Sequence, residues 1–591
     1  MPKGTPTSPR PRPVRRKVPR DPGKPPAARL VALLAVLTLG LGGILFRLVL
    51  LQVKESSAYQ ALARTQRVHS IVVPATRGTI FDRDGEELAM SLPAKAVFVD
   101  PTLVDRPGPE AKAVATVLKL PYREVYTALT GKGRFAYIAR GVGLEQASAL
   151  REKHLAGIGF LDESRRYYPG GALAPQVLGF VGVDGMGLAG LEQQYQSVLA
   201  GRAGHEVVEA DPNGVLIPQG ANVDVPPVPG DDLLLTIDRG IQFQAQAYLA
   251  AAVKKNKAKG GTVIAMDPRT GEILAMATYP WFDPNHVGGV EVDDIRNRAV
   301  TDVYEPGSVN KVITAAAAVE QRLLDPGQTL TVPDHLDIYG KTFHDAHQHG
   351  AEEMTLADII TYSSNVGTIK VAQMLGKDRL GSYLTRFGLG EKSGLGFPGE
   401  SGGILPAPHD WFGAIMGTIP IGQGVAVTPL QMLSVYATVA NGGVWVQPQL
   451  VRGTVGSDGR VEAAPPPDTR EVVTPRTAAV VTKMLAYAVD VGTGQEAQIP
   501  GFWVAGKTGT ARKPLENARG YSDKYVASFI GFVPAARPAL VVAAVLDEPA
   551  TVFGGVAAAP LFRDIARFAL ARLRVAPAPR LSFPVHAVPP S

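Results

Sequence analysis

The chain is 591 residues long, 45% hydrophobic, formally +6 at neutral pH and without cysteine. So long a chain outgrows one core and is expected to form two or more domains, while the missing cysteines exclude disulfides and thiolate metal sites and suit an oxidising compartment. The positive charge is local: residues 1–29 hold nine Lys or Arg and one Asp, so the body has no basic surplus for nucleic acid.

Residues 1–29 are Pro, Arg and Lys with almost nothing apolar, which reads as a disordered basic tail. Residues 30–46 then run without a charge, and after Arg47 the apolar run resumes to Val53. As a helix, residues 30–53 would reach about 36 Å, enough to cross a bilayer, with Arg47 laying its stem along the helix near the outer interface. A cleaved signal peptide shares the basic start, but the apolar run is long for one and no small-x-small cleavage site follows. The basic flank is expected to keep the N-terminus cytoplasmic and everything after Lys54 outside.

Residues 54–229 read as mixed and irregular, with strands expected at 68–73 and 96–99 and helices at 109–118 and 144–153. Gly185-Met-Gly-Leu-Ala-Gly190 fits the text of a dinucleotide fingerprint, with Glu206 about 20 residues on. No strand–turn–helix unit surrounds it, so its glycines are read as tight turns and close backbone approach.

Val223-Asp-Val-Pro-Pro-Val-Pro-Gly230 is the clearest linker, stiff and unable to enter a ladder. Residues 230–575 follow as one domain: a strand at 233–237, a helix at 242–254, and a strand pair at 262–266 and 272–277 around the turn Asp267-Pro-Arg-Thr-Gly271. Strands at 504–512, 527–533 and 540–546 should complete an antiparallel sheet, with helices between 308 and 438 covering it and a closing helix at 561–573. Strands, helices and strands in that order predict an α/β sandwich. Ala464-Pro-Pro-Pro467 marks a surface loop, and residues 576–591 form a Pro-rich tail.

Within this domain Tyr304-Glu-Pro-Gly-Ser-Val-Asn-Lys311 runs into an Ala-rich helix. The i, i+3 spacing places Ser308 and Lys311 on one helical face. A serine is a poor nucleophile until a base takes its proton, and lysine serves only as the neutral amine. Its pKa has to fall from about 10.4 towards neutrality, at about 1.4 kcal/mol for each tenfold change, through burial and a neighbouring cation. Free N–H groups at the helix start can hold the oxyanion formed when the serine attacks a carbonyl. Ser-x-x-Lys alone is a weak signal. Tyr362-Ser-Ser-Asn-Val-Gly367 adds Ser-x-Asn, Gly506-Lys-Thr-Gly-Thr-Ala-Arg512 adds Lys-Thr-Gly, and the three in that order are specific.

They match the motif set of serine penicillin-recognising enzymes. With Arg77-Gly-Thr-Ile-Phe-Asp-Arg-Asp-Gly85, Gly187-Leu-Ala-Gly-Leu-Glu192, Gly422-Gln-Gly-Val-Ala-Val-Thr-Pro429 and Tyr525-Val-Ala-Ser-Phe-Ile-Gly-Phe-Val-Pro534, residues 30–572 resemble the class B penicillin-binding proteins, above all the division-type peptidoglycan D,D-transpeptidases of the FtsI or penicillin-binding protein 3 group. The resemblance implies an α+β multidomain chain: a single N-terminal transmembrane helix, a mixed α/β pedestal over 54–229, and a β-lactamase-like transpeptidase domain over 230–575 whose antiparallel sheet is sandwiched by helices.

It also implies the chemistry. Ser308 would attack the carbonyl of a D-alanyl-D-alanine stem while Lys311 receives its proton, and the terminal D-alanine leaves. Ser363, at the tip of a helical segment 355–362, would pass protons between Lys311 and the leaving or entering amine, and Asn365 would hold the substrate amide and Lys311 together. Lys507 would supply the cation that keeps Lys311 neutral and attracts the substrate carboxylate, which the Thr508 and Thr510 hydroxyls bind. Gly509 would leave no Cβ in the way of the substrate along this strand edge, and the N–H groups of Ser308 and Thr510 would form the oxyanion hole. No metal or cofactor is implied, and nothing in 54–229 resembles a glycosyltransferase domain. The implied partners are β-lactams as covalent inhibitors, a polytopic glycosyltransferase of the FtsW/RodA type and other divisome proteins, at the inner membrane of the septum with the catalytic domain periplasmic.

His344-Asp-Ala-His-Gln-His-Gly350 packs three histidines into six residues, but without helical i, i+4 metal spacing, and reads as a loop near the cleft. Three alternatives share the motifs: a D,D-carboxypeptidase or β-lactamase, an elongation-type class B transpeptidase, and a non-catalytic scaffold or β-lactam sensor. The anchor, the pedestal and the lack of a Glu-x-x-Leu-Asn stretch favour transpeptidation over the first. Asn365, where elongation enzymes often carry Asp, argues against the second, and an intact motif set against the third.

Overall fold

The computed structural model describes residues 27–54, 68–209, 223–325, 327–515 and 520–577. The basic tail up to residue 26 and the Pro-rich tail from residue 578 lie outside them. The chain forms two compact units.

The smaller unit contains helix α1, Ala27–Val49, which runs on as a π turn over Leu50–Lys54. Its mean hydropathy is 2.3, and among the described residues it is the one helix long and apolar enough to cross a membrane, at the position expected for the span. Val68–Val73, Gly204–Glu209 and Val223–Val225 make a three-stranded sheet with Gly204–Glu209 in the middle. This corrects the linker expected at 223–230: Val223 and Val225 pair with Val207 and His205. The prolines begin only at residue 226, so the N–H groups of 223–225 are available to a ladder. Even inside the Pro-rich stretch, Val228 and Arg202 exchange two backbone hydrogen bonds of 2.9 and 2.8 Å.

The larger unit holds two main sheets. One runs through β1 (Ile80–Phe81), β2 (Glu87–Val99), β3 (Ala136–Gly143), β4 (Ile158–Tyr167) and β5 (Asp232–Leu235). It is longer than the short strand expected at 96–99, and β2 carries β3 and β4 on its two edges. Helices Pro107–Leu118, Tyr122–Leu129 and Leu144–Arg151 bury Val114, Leu118, Leu129 and Leu150 against Val97 and Val99 of β2. The strand expected at 233–237 is β5, which pairs in parallel with β1 and antiparallel with Val451–Val455, so the ladder of this sheet continues past residue 230. A buried charge cluster closes the region: Glu192, with 0% exposure, accepts from Arg77 Nε at 2.6 Å and Arg166 Nε at 2.7 Å. It explains why Arg77 and Glu192 stand in separate motifs of one resemblance.

After helix α2 (Arg239–Asn256), the second sheet is built from β6 (Gly260–Met266), β7 (Ile273–Tyr279), β8 (Ala505–Pro514), β9 (Tyr521–Val533) and β10 (Leu540–Asp547). Its order is β7-β6-β10-β9-β8, antiparallel throughout. The inner strands β6 and β10, and β7 beside them, read as near-continuous apolar runs because both faces are buried. Ile264, Val541 and Ala543 face one core with helices α3 (Lys311–Glu320), α4 (Leu356–Thr361), α5 (Asn365–Leu375), α6 (Pro429–Ala440) and α7 (Pro475–Asp490). Val263, Ala265, Val542 and Ala544 face the other, with α2 and α8 (Ala559–Arg572). This is the expected sandwich. The helix α7 was not expected; Thr474, whose side chain accepts from Thr477 N, and Pro475 in the first turn are its start signals. Strand β8, which carries Lys507 to Thr510, lies at an edge of the sheet with one side unpaired.

Candidate active site

The Ser308 segment is a 3-10 turn, Gly307–Asn310, that leads into α3. In this tighter helix residues i and i+3 eclipse, which sets the half-buried Ser308 over Lys311. The turn is pinned on several sides. Gly307 N donates to Gly422 O at 3.0 Å, Asn310 Nδ2 to Ile419 O at 2.9 Å, and Tyr436 OH to Val309 O at 3.0 Å. Tyr304 and Val427 exchange two further backbone bonds of 3.0 and 2.9 Å, so the stretch Gly422 to Pro429 is the brace of the nucleophile loop. Gly422 has φ +77°, and a Cβ there would collide with Gly307 O and lie 2.6 Å from Gly307 N.

Lys311 has 0% exposure. Its Nζ donates to Ser363 O at 2.6 Å and Asn365 Oδ1 at 2.7 Å, and stands 3.3 Å from Ser363 Oγ. No hydrogen bond joins it to the Ser308 hydroxyl among the described residues. Burial, and after it the Lys507 cation, push its pKa well below that of an ordinary lysine, with the Asp345 carboxylate pulling the other way. Lys507, 1% exposed, is lowered to about 7 by burial. Two buried amines thus share one site, and the charge of either disfavours charge on the other.

Ser363 follows α4 at the expected helix tip, with φ +62°, a left-handed conformation unusual for a residue with a side chain. It turns its carbonyl onto Lys311. Thr508 Oγ1 pairs with Thr493 Oγ1 at 2.8 Å, and Thr510 Oγ1 accepts from Gly554 N at 3.1 Å, which leaves the Thr510 hydroxyl proton for an anion. Gly509 has a further reason within the protein: a Cβ there would collide with the Ser528 hydroxyl and lie 3.0 Å from Pro306 O. The glycine makes room for the neighbouring strand and the nucleophile loop. All eight motif residues therefore converge on the start of α3, the α4–α5 turn and the edge strand β8.

Residues 261–567 match the family model for the penicillin-binding protein transpeptidase domain, and residues 72–235 that for the penicillin-binding protein dimerisation domain. The chain is 36% identical to penicillin-binding protein PbpB of Mycolicibacterium smegmatis, over 92% of this chain and 90% of that one. The chain belongs to the class B penicillin-binding proteins. Peptidoglycan D,D-transpeptidase FtsI of Escherichia coli K12 is 33% identical over 93% of this chain and 92% of that one. Penicillin-binding protein 3 of Mycobacterium tuberculosis, solved as its aztreonam complex, superposes with a TM-score of 0.69 at 34% identity, covering 86% of this chain and 98% of that one.

Several residues of this class B site carry no motif signature. Tyr436 and Thr493 reach it from α6 and from the loop after α7. Asp345 belongs to the histidine-rich stretch expected as a loop near the cleft, and it enters the site through α5. Its signal was present, a lone acid among histidines about 20 residues before a helix start, but that pattern names no contact.

Proposed function

We propose that the chain is a monofunctional peptidoglycan D,D-transpeptidase that cross-links peptide stems through an acyl-serine, at the division septum. The observation that carries this reading is the setting of Lys311. A neutral amine has two N–H donors and one lone pair. Ser363 O and Asn365 Oδ1, at 2.6 and 2.7 Å, take the two donors; the lone pair then faces hydroxyls, with Ser363 Oγ at 3.3 Å, and can receive the Ser308 proton directly or through that hydroxyl.

In the first half-reaction the Ser308 Oγ–carbonyl bond forms, the oxyanion rests on the N–H groups of Ser308 and Thr510, and Lys311 takes the hydroxyl proton. The C–N bond to the terminal D-alanine then breaks, with Ser363 Oγ, 3.3 Å from Lys311 Nζ, relaying the proton to the leaving amine. In the second half an acceptor amine attacks the ester and returns its proton by the same path. Lys507, Thr508 and Thr510 hold the terminal carboxylate of the donor stem. β-Lactams follow the first half and stop at the acyl-enzyme.

The pedestal over 54–229 carries the transpeptidase domain of 230–575 above the membrane, and α1 anchors both, N-terminus inside and catalytic domain periplasmic. A polytopic FtsW/RodA-type glycosyltransferase supplies the glycan strands. Asn365 and the FtsI and PbpB relatives support division over elongation. The test is the purified full-length protein with a polymerised glycan bearing pentapeptide stems: cross-linked dimers should accumulate as D-alanine is released. D-alanine release without dimers, or rapid turnover of penicillin, would move the chain to the carboxypeptidases or β-lactamases. A fluorescent fusion spread along the sidewall instead of midcell would remove the septal assignment.

A further inference from the structure

The second motif is held from outside itself. Asp345, whose side chain is 6% exposed, places one carboxylate oxygen on the backbone N–H groups of Asn365 and Val366, the latter at 3.0 Å. The other oxygen accepts from Ser364 Oγ at 2.7 Å and from His349 Nε2 at 3.1 Å. Asn365 and Val366 are the first residues of α5, whose opening N–H groups have no partner within the helix. The other nitrogen of the His349 ring, Nδ1, stands 2.6 Å from Gly350 O. Both ring nitrogens face acceptors, an arrangement that favours the doubly protonated ring; although burial works against the charge, the bonds to Asp345 and Gly350 O raise the ring's pKa above the ordinary value.

The same loop sets the Asn365 amide. Asn365 Nδ2 donates to His344 O at 2.8 Å, which leaves Oδ1 as the end that meets Lys311. Ser363, left-handed at φ +62°, is a conformation that persists only where the surroundings over-determine it. The residues that follow it, 364 to 366, are all gripped by Asp345.

We propose that Asp345 is a positioning residue of the acyl-transfer site, fixing the Ser363–Asn365 turn so that the Ser363 carbonyl and the Asn365 amide oxygen both accept from Lys311. It touches neither substrate nor the reacting serine. The inference rests on the transpeptidase reading above and assigns the loop of residues 344–350 a part in acylation, with His349 as the cation that allows a buried carboxylate so near the lysine. Without the carboxylate, two helix N–H groups and the Ser364 hydroxyl lose their acceptor, and the turn can relax out of its left-handed form.

The test is the full-length protein in detergent with a fluorescent penicillin, separating non-covalent affinity from the first-order acylation rate. Asp345→Ala should acylate about 100-fold more slowly, the scale of a misplaced catalytic group, with affinity within about threefold of wild type, since the ligand itself has lost no contact. Asp345→Asn keeps the volume and one acceptor oxygen, and should lose about tenfold in the same step. It decides the matter if the alanine variant does not fold. Wild-type acylation rates in a folded variant would overturn the proposal, as would affinity and rate falling in parallel with the melting temperature. These outcomes are distinct from failure of the transpeptidase reading, in which the wild-type protein itself takes no label on Ser308.

Discussion

Replacing Lys507 by Met separates the stability of this site from its chemistry. The amine is 1% exposed, lowered to about 7 from an ordinary 10.5 by burial, and bonded only weakly, at 3.4 Å, to Thr493 and Thr508. Between about pH 7 and 10.5 the unfolded chain binds this proton and the native chain does not, so native stability rises with pH through that window. Below pH 7 the cost of burying the cation is borne in full, and it amounts to about 3–5 kcal/mol. Lys507→Met, close in volume and uncharged, should therefore be the more stable protein at pH 6, and its advantage should shrink steadily towards pH 10. Acylation should respond the other way. Without the second cation the Lys311 pKa rises, the acid limb of the acylation profile moves to higher pH, and the rate at neutrality falls about 100-fold. Thermal unfolding of the full-length protein at pH 6 and pH 10, paired with labelled-penicillin rates across the same range, measures both. A variant no more stable than wild type at pH 6, or a gain equal at both pH values, would refute the argument that a buried charge is being held here for function.

Gly422→Ala forces a Cβ against the backbone of Gly307 at a φ of +77°, so the nucleophile turn must shift. Acylation should fall at least about tenfold while the sheet of β1 to β4 is untouched, and penicillin-binding rates at the wild-type level would contradict the brace described for this loop. Glu192→Gln leaves two guanidiniums buried with no charge between them, and should destabilise the larger unit by about 3–5 kcal/mol in chemical denaturation. Because Glu192 lies outside the catalytic cluster, the folded fraction should acylate at the wild-type rate.

Much of this architecture is legible in the chain itself. The run 540–546 is apolar at every position because Val541 and Val542 face different cores, and the motif strings carry Ser308, Lys311, Ser363, Asn365 and Lys507 to Thr510 as short local patterns. What stays hidden is whatever acts across the chain. Tyr436 reaches Val309 over 127 positions, and Asp345 braces a helix that starts 20 residues later; neither contact leaves a periodic or spaced trace. The stretch 223–230 differs from a plain linker for a related reason. Its prolines mark a stiff segment, but a partner strand about 18 residues upstream recruits the three residues before them, and composition does not report pairing. Gly509 shows the same limit: the need for glycine was readable, but not that the crowding comes from Ser528 and Pro306.

A buried, uncharged Lys311 makes Ser308 the acyl acceptor. Intact and peptide mass spectrometry of the full-length protein after exposure to penicillin puts this to the test. One adduct is expected, on the peptide containing Ser308, lost in Ser308→Ala and formed far more slowly in Lys311→Ala. An unmodified wild-type protein, or an adduct on any other residue, would contradict it.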